Sequence, residues 1–281
     1  VMLRTTASRV LDDNDRDEVL ALLDADPVVN VFVASRVRAV GLNPARLGGQ
    51  MWGFGPRGGL TSLCYAGANL VPVNAGTDAV HAFADRARKQ GRRCSSIVGP
   101  ADAVAPLWER LEPYWGAARA VRWAQPVMAV TTPSPVPIDP MVRRVRPEEF
   151  EILLPACVAM FTEEVGVSPE AGDGGALYRS RVAELIRIGR SYARIEHGRV
   201  VFKAEIGAVT PLACQIQGVW VHPDLRGRGH AAAGMASVVK HALDCFAPVV
   251  SLYVNDYNAP ARAAYRKAGF EEVGTFMSVL F

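Results

Sequence analysis

The chain lacks clustered cysteine, metal-spaced histidine, a long apolar run and a strong charge of either sign. Its five cysteines, Cys64, Cys94, Cys157, Cys214 and Cys245, are an odd number, far apart, with no C-x-x-C. That excludes a disulfide framework and is read as reduced cytosolic thiols. The five histidines form no H-E-x-x-H and no Cys/His cluster, so no metal is expected. No apolar run approaches the ~18 residues of a membrane helix. The N-terminus lacks the order of basic, apolar and small residues of a signal peptide. The expectation is a cytoplasmic protein with no membrane partner. Thirty-one basic against 28 acidic residues leave a net charge of +3, too little over 281 residues to point to nucleic acid. Lysine is scarce: only Lys89, Lys203, Lys240 and Lys267. Abundant arginine, alanine, valine and glycine read as a GC-rich bacterial genome, not as function. Neither G-x-S-x-G nor a Walker phosphate loop occurs.

What is present is an apolar half of the composition, enough for an extensive core. The segment TTPSPVPIDP, residues 131–140, carries four prolines. Consecutive X-Pro units disfavour helix and remove backbone donors, so an extended linker is expected there. It separates residues 1–130 from residues 141–281, each large enough for its own core. In the second half, Pro147–Phe161 reads as an amphipathic helix, followed by a helix near Ala176–Ile188. Three strand-like runs follow, SYARIEH, VVFKAEIGAV and LACQIQGVWVHP, then the turn RGRGH and a helix to about Phe246. VVSLYVN reads as a strand, Ala259–Ala268 as a helix stopped by Gly269, and EEVGTFMSVLF as closing strands. The first half repeats that order more weakly. It has a helix near Arg16–Leu23, strand-like runs at QMWGFG, LTSLCYA and NLVPV, and the helix Thr77–Gln90. CSSIVG, the helix Ala101–Leu111 and a strand pair in RAVRWAQPVMAV complete it. The matching order implies an internal duplication, although no residue-by-residue repeat is evident.

One stretch carries chemistry: GVWVHPDLRGRGHAAAGM, residues 218–235. A strand through Val219, Trp220 and Val221 ends at His222-Pro223, and the following turn carries Gly227 and Gly229 before a helix. Glycines there let successive N–H groups converge on an anion at the helix N-terminus. Ala231 and Ala232 keep the helix start small enough for a bulky ligand to approach. Arg226-x-x-Gly229-x-Ala231 resembles the [Q/R]-x-x-G-x-[G/A] acyl-CoA motif of the GNAT superfamily of N-acetyltransferases. LYVNDYNAPARAAYRKAGFEEVG, residues 252–274, resembles that family's last strand-helix segment, N-x6-Y-x3-G-F. The resemblance covers about residues 141–281. It implies an α/β fold of two GNAT-like domains, each a central mixed twisted sheet flanked by helices.

The resemblance further implies acetyl-CoA as co-substrate and direct transfer of its acetyl group to an amine, of a small molecule or a protein. Backbone groups of Val219, Trp220 and Val221 would hold the pantetheine arm and polarise the thioester carbonyl. The turn and helix start, Gly227, Arg228, Gly229, His230, Ala231 and Ala232, would take the pyrophosphate, with Arg226 in electrostatic support. Asn258 would bind pantetheine or cap its helix. Tyr265, two turns further along, would protonate the leaving thiolate. The family's usual strand glutamate is missing, because Gln215, Gln217 and Tyr253 stand where it is expected. Glu205, Glu163, Glu164, His222 and the carboxylate of Phe281 remain as weaker candidates for the base. The first half has no such motif. Arg46-x-x-Gly49 lacks both the small residue and the helix, so that half reads as a degenerate GNAT-like domain shaping the acceptor pocket. Its Trp52, Trp108, Trp115 and Trp123 read as packing residues. Two other readings stand beside the enzyme: a non-catalytic acyl-CoA sensor, and a mycothiol-synthase-like small-molecule acyltransferase.

Overall fold

The structure, a computed structural model, describes residues 7–171 and 174–281. The chain divides into two compact units. The first holds residues 1–127, 253–256 and 272–281; the second holds 128–252 and 257–271.

The first unit opens with β1 (Arg9–Val10), α1 (Arg16–Asp24), α2 (Val31–Val40) and α3 (Pro44–Leu47). The strands β2 (Gly49–Phe54), β3 (Ser62–Gly67) and β4 (Asn69–Val73) follow, then α4 (Thr77–Gln90), β5 (Ser96–Pro100) and α5 (Ala101–Trp115). From β1 to β4 neighbouring strands are antiparallel, and β4 then pairs parallel with β5. Side chains alternate across this sheet, as a two-residue period demands. Leu63, Tyr65 and Val73 face one core with Val19, Leu23 and Val37. Cys64, Leu70 and Ile97 face another with Phe83, Val104, Leu107 and Trp108. Helices therefore cover both faces of the sheet. Neither α2 nor α3 was foreseen, because VFVASRVRAV reads equally as strand or helix.

The chain continues through β6 (Ala120–Val130), a single strand where a pair was expected. The second unit then runs β7 (Arg143–Arg144), α6 (Phe150–Val165), α7 (Gly174–Arg187), β8 (Ser191–Glu196), β9 (Arg199–Val209) and β10 (Cys214–Val221). It closes with α8 (His230–Cys245), β11 (Val250–Tyr253) and α9 (Ala259–Lys267). The pattern of the first unit recurs: β7 to β10 pair antiparallel, and β10 pairs parallel with β11. The β8–β9 hairpin turns at His197 and Gly198, both at positive φ, the conformation a two-residue type I′ turn requires. Leu153, Cys157, Val182 and Trp220 belong to a core beneath α6 and α7. α8 lies close on β9: a Cβ on Gly234 would sit 2.8 Å from the Phe202 ring.

The division departs from a cut placed in the proline-rich segment. Residues 131–140 form neither helix nor strand, yet Asp139 is buried, accepts from Arg194 at 2.9 Å and receives the Ser237 hydroxyl on its carbonyl at 2.8 Å. The last strand, β12 (Glu271–Leu280), pairs antiparallel with β5, so all but its first residue belongs to the first unit. The physical reason is apolar: Met277 and Val279 sit in the core with Trp108 and Ile97. Among the described residues no helix is long and apolar enough to cross a membrane.

Candidate active site

Every expected cofactor residue, together with Tyr265, falls in the second unit. Departures from regular pairing shape the strand β10. Its ladder to β11 is formed at Cys214↔Val250 and Gln215↔Ser251 only, so the C-terminal half of β10 offers backbone groups beyond the parallel ladder. Towards β9, Gln217 pairs with Glu205 and Trp220 with Lys203. Gly218 and Val219 thus oppose the single residue Ala204, which makes a β-bulge. Gly218 takes φ +60°, a left-handed conformation suited to glycine.

After β10, Pro223–Leu225 form a 3-10 turn capped by His222, whose ring accepts from the Asp224 N–H at 3.3 Å. His222 also lies against Arg199 and the Trp220 ring. Gly227 (φ +76°) and Gly229 (φ +87°) carry the chain into α8, and a Cβ on either would meet nothing within 4 Å. Gly229 is the N-cap of α8, and no side chain caps the helix. The first-turn N–H groups, which have no intrahelical acceptor, are therefore available to an anion. Arg228 belongs to this turn. Arg226 is placed otherwise than expected: it donates to the Val221 carbonyl at 3.1 Å and pairs with Glu163 at 2.7 Å. Glu163 also receives the Trp220 indole N–H at 3.2 Å, tying α6 to the end of β10.

Asn258 caps α9, accepting from the Ala261 N–H at 3.2 Å, with Pro260 in the first turn behind it. Tyr265 is 7% exposed and packs against Phe270. Burial, reinforced by Glu164, raises its hydroxyl above the ordinary tyrosine value, so it keeps its proton at neutral pH.

The candidate glutamates are all engaged. Glu205 is 6% exposed and pairs with Lys203, which is fully buried, at 2.7 Å. Its other oxygen accepts from Gln217 at 3.3 Å, and the Cys157 thiol lies 3.8 Å away. Burial pushes that thiol up to about 11. Lys203 stays charged: burial opposes the charge, but the Glu205 carboxylate outweighs it. Glu164 is also partnered. Phe281 belongs to the first unit, edge-on to Trp108 and Trp115. Tyr253 also belongs there and packs on Phe276. Trp52 and Trp108 are core residues, whereas Trp123 is 66% exposed and is not. Lys203 escaped the sequence reading. Its signal was a K-x-E charge pair inside an otherwise apolar strand.

The acetyltransferase (GNAT) family matches residues 183–270, and a domain of unknown function, DUF4081, matches residues 49–153. The second half of the chain carries a GNAT domain, and the whole has the fold of tandem GNAT proteins. A GCN5-related N-acetyltransferase from Sphaerobacter thermophilus aligns with 18% identity over 99% of this chain and 96% of its own, at a TM-score of 0.58. A GNAT-family acetyltransferase from Colwellia psychrerythraea aligns with 14% identity over 98% and 99%, at 0.58. A tandem GNAT protein from the clavulanic acid biosynthesis pathway gives 15% identity over 97% and 98%, at 0.52. No curated protein matches the chain.

Proposed function

We propose that the chain is a cytoplasmic, acetyl-CoA-dependent N-acetyltransferase whose machinery lies in the second unit. The observation that carries this reading is the succession of a bulged strand, an open glycine turn and an uncapped helix start, followed by a capped helix bearing a buried, protonated Tyr265. These features suit a CoA thioester. The turn leaves room where side chains would stand, and β10 offers unladdered backbone groups beside the split from β11. When bound, the thioester supplies an activated acetyl group.

The chain's own residues would bind and orient it. Val219, Trp220 and Val221 would flank the pantetheine arm and place an amide against the thioester carbonyl. Backbone N–H groups from Gly227 to Ala232, with Arg228, would hold the pyrophosphate. Arg226 would act as a strut for the turn, since Glu163 and the Val221 carbonyl already occupy it. Asn258 would fix the start of α9, and Tyr265 would deliver its proton to a departing thiolate. No general base is assigned. The first unit, whose β4 carries no bulge and whose last helix has Leu107 at the place of Tyr265, would take no acyl-CoA. Five free cysteines fit a reducing compartment.

The test has two stages. Acetyl-CoA should raise the melting temperature by mass action, and a panel of primary amines should then include one that triggers CoA release. Failure to bind acetyl-CoA would overturn the reading. Tight binding with no release across the panel would favour an acyl-CoA sensor. Release with a thiol-bearing amine alone would point to the small-molecule acyltransferase.

A further inference from the structure

A buried ion pair is an expensive way to fill a core. Replacing such a pair with apolar residues of similar size is often neutral or stabilising, so stability alone does not account for it. Here a fully buried Lys203 meets a 6% exposed Glu205 at 2.7 Å. Their place in the ladder is informative. Lys203 pairs with Trp220 and Glu205 with Gln217, the two positions of β10 that bracket the bulge. The charged side chains lie two apart on one face of β9, so their contact spans the bulge from its partner strand. The Gln217 amide joins them through its 3.3 Å bond to Glu205. A Cβ on Gly218 would come within 3.2 Å of Lys203 Nζ, 3.2 Å of Met160 Cε and 3.3 Å of Glu205 Cδ. The pair thus abuts the bulged residue itself. The corresponding strands of the first unit, β3 and β4, run without a register shift and carry no charged residue.

We propose that the Lys203–Glu205 pair is a positioning element: it braces the Gly218 bulge so that the neighbouring amide of Val219 stands where an acyl carbonyl would lie. The proposal rests on the acyl-CoA reading for the identity of that carbonyl, but not for the bracing. Neither residue touches the acyl group; both act through the backbone of β10. The pair therefore governs recognition of the carbonyl and not of the nucleotide end.

The probes are acetyl-CoA and S-ethyl-CoA, which differ at the carbonyl and need no acceptor. The wild-type chain should favour acetyl-CoA by about two- to tenfold, the range of one hydrogen bond. The double variant Lys203→Met/Glu205→Leu removes both charges together, so it should fold with an unchanged melting temperature or a raised one. It should bind S-ethyl-CoA within about twofold of wild type and lose the preference for acetyl-CoA. Amide hydrogen exchange across residues 214–222 should quicken at the same time. Retained preference with unchanged exchange would overturn the proposal. Should the double variant fail to fold, Gly218→Ala breaks the bulge from the other side, and retained preference there is equally decisive. If wild type binds neither probe, the acyl-CoA reading falls, and exchange in the variants alone decides the bracing.

Discussion

The two units begin alike and part company where a ligand would bind. Each opens on a short strand whose arginine reaches six residues forward to a buried carboxylate in the following 3-10 turn: Arg9 to Asp15, and Arg143 to Glu149. In both turns that carboxylate also accepts the backbone N–H three residues before it, from Asp12 and from Arg146. Both then order their strands alike, three antiparallel pairings and one parallel. Divergence starts on the fourth strand. β4 is straight and contains Pro72, whereas β10 is bulged at Gly218. α4 starts Gly76-Thr77-Asp78, placing a carboxylate in its first turn, whereas α8 starts Gly229-His230-Ala231. An aspartate there occupies the positive end of the helix that a phosphate would need. On the last helix, the seventh residue after the N-cap is Leu107 in α5 and Tyr265 in α9. The two units share a scaffold, and on the proposed reading the acyl-CoA chemistry belongs to the second alone.

The largest effect should come from the hydroxyl that only one copy owns. Tyr265→Phe keeps the ring and its packing on Phe270, so acetyl-CoA binding should hold within a few-fold. Turnover should fall by ~10² to 10⁴, the range for a lost general acid. Because burial raises its pKa, the neutral hydroxyl stabilises the fold at and below the ordinary tyrosine value, and that contribution is lost as pH rises through the raised one. Any alkaline limb in kcat from this group should accordingly lie above the ordinary value and vanish in the phenylalanine variant. Full activity of Tyr265→Phe on a verified amine would remove Tyr265 as the acid.

Much of this was legible in the sequence, for identifiable reasons. The helices α4 and α9 announce themselves by periodicity and by the glycines that stop them, and the glycine turn before α8 is a local motif. What escaped was non-local. The capture of β12 by β5 depends on which sheet edge can bury Met277 and Val279, and periodicity carries no such information. The helix α5 runs past Pro113 to Trp115, four residues beyond the expected end, because tertiary packing overrides a helix breaker. The Arg–carboxylate repeat was hidden because Arg9…Asp15 and Arg143…Glu149 share a spacing and a geometry, but almost no intervening residues. The bulge and its ion pair were hidden too: a register shift leaves only a glycine as its trace.

Paired glycine substitutions sharpen the comparison at the two helix starts. Gly229 sits at φ +87° with open space beyond its Cα, and Gly76 sits at φ −70°. Gly229→Asp would force a side chain into a left-handed conformation and aim a carboxylate at the anion site. Acetyl-CoA binding, followed by calorimetry, should fall by at least ~10²-fold. Gly76→Asp should leave binding unchanged and stabilise α4 slightly, because aspartate is a good N-cap. Equal loss in the two variants would mean that both copies bind acyl-CoA.

The smallest effect concerns what the copies share. The Arg143 guanidinium, working against burial and helped by Arg146, holds the Glu149 carboxyl down at about 2. Arg9 lowers Asp15 in the same way. A carboxylate depressed in the folded state stabilises it above the unfolded pKa, and that stability drains away as pH falls through the folded value. Glu149→Gln should therefore cost about 1–2 kcal/mol at pH 7, the shift being discounted because Arg143 and Arg146 are 45% and 61% exposed. On a chain of this size that is a drop of several degrees in melting temperature. The gap from wild type should narrow below pH 4.5 and close near pH 2. Asp15→Asn should shift stability with the same sign and the same narrowing in acid. If the ion pairs are equivalent parts of one duplicated frame, each should lower the transition of its own unit, read by hydrogen exchange in α1 and in α6. A loss confined to one unit, whichever variant is made, would show that the shared geometry hides unequal roles and would break the comparison at its strongest point.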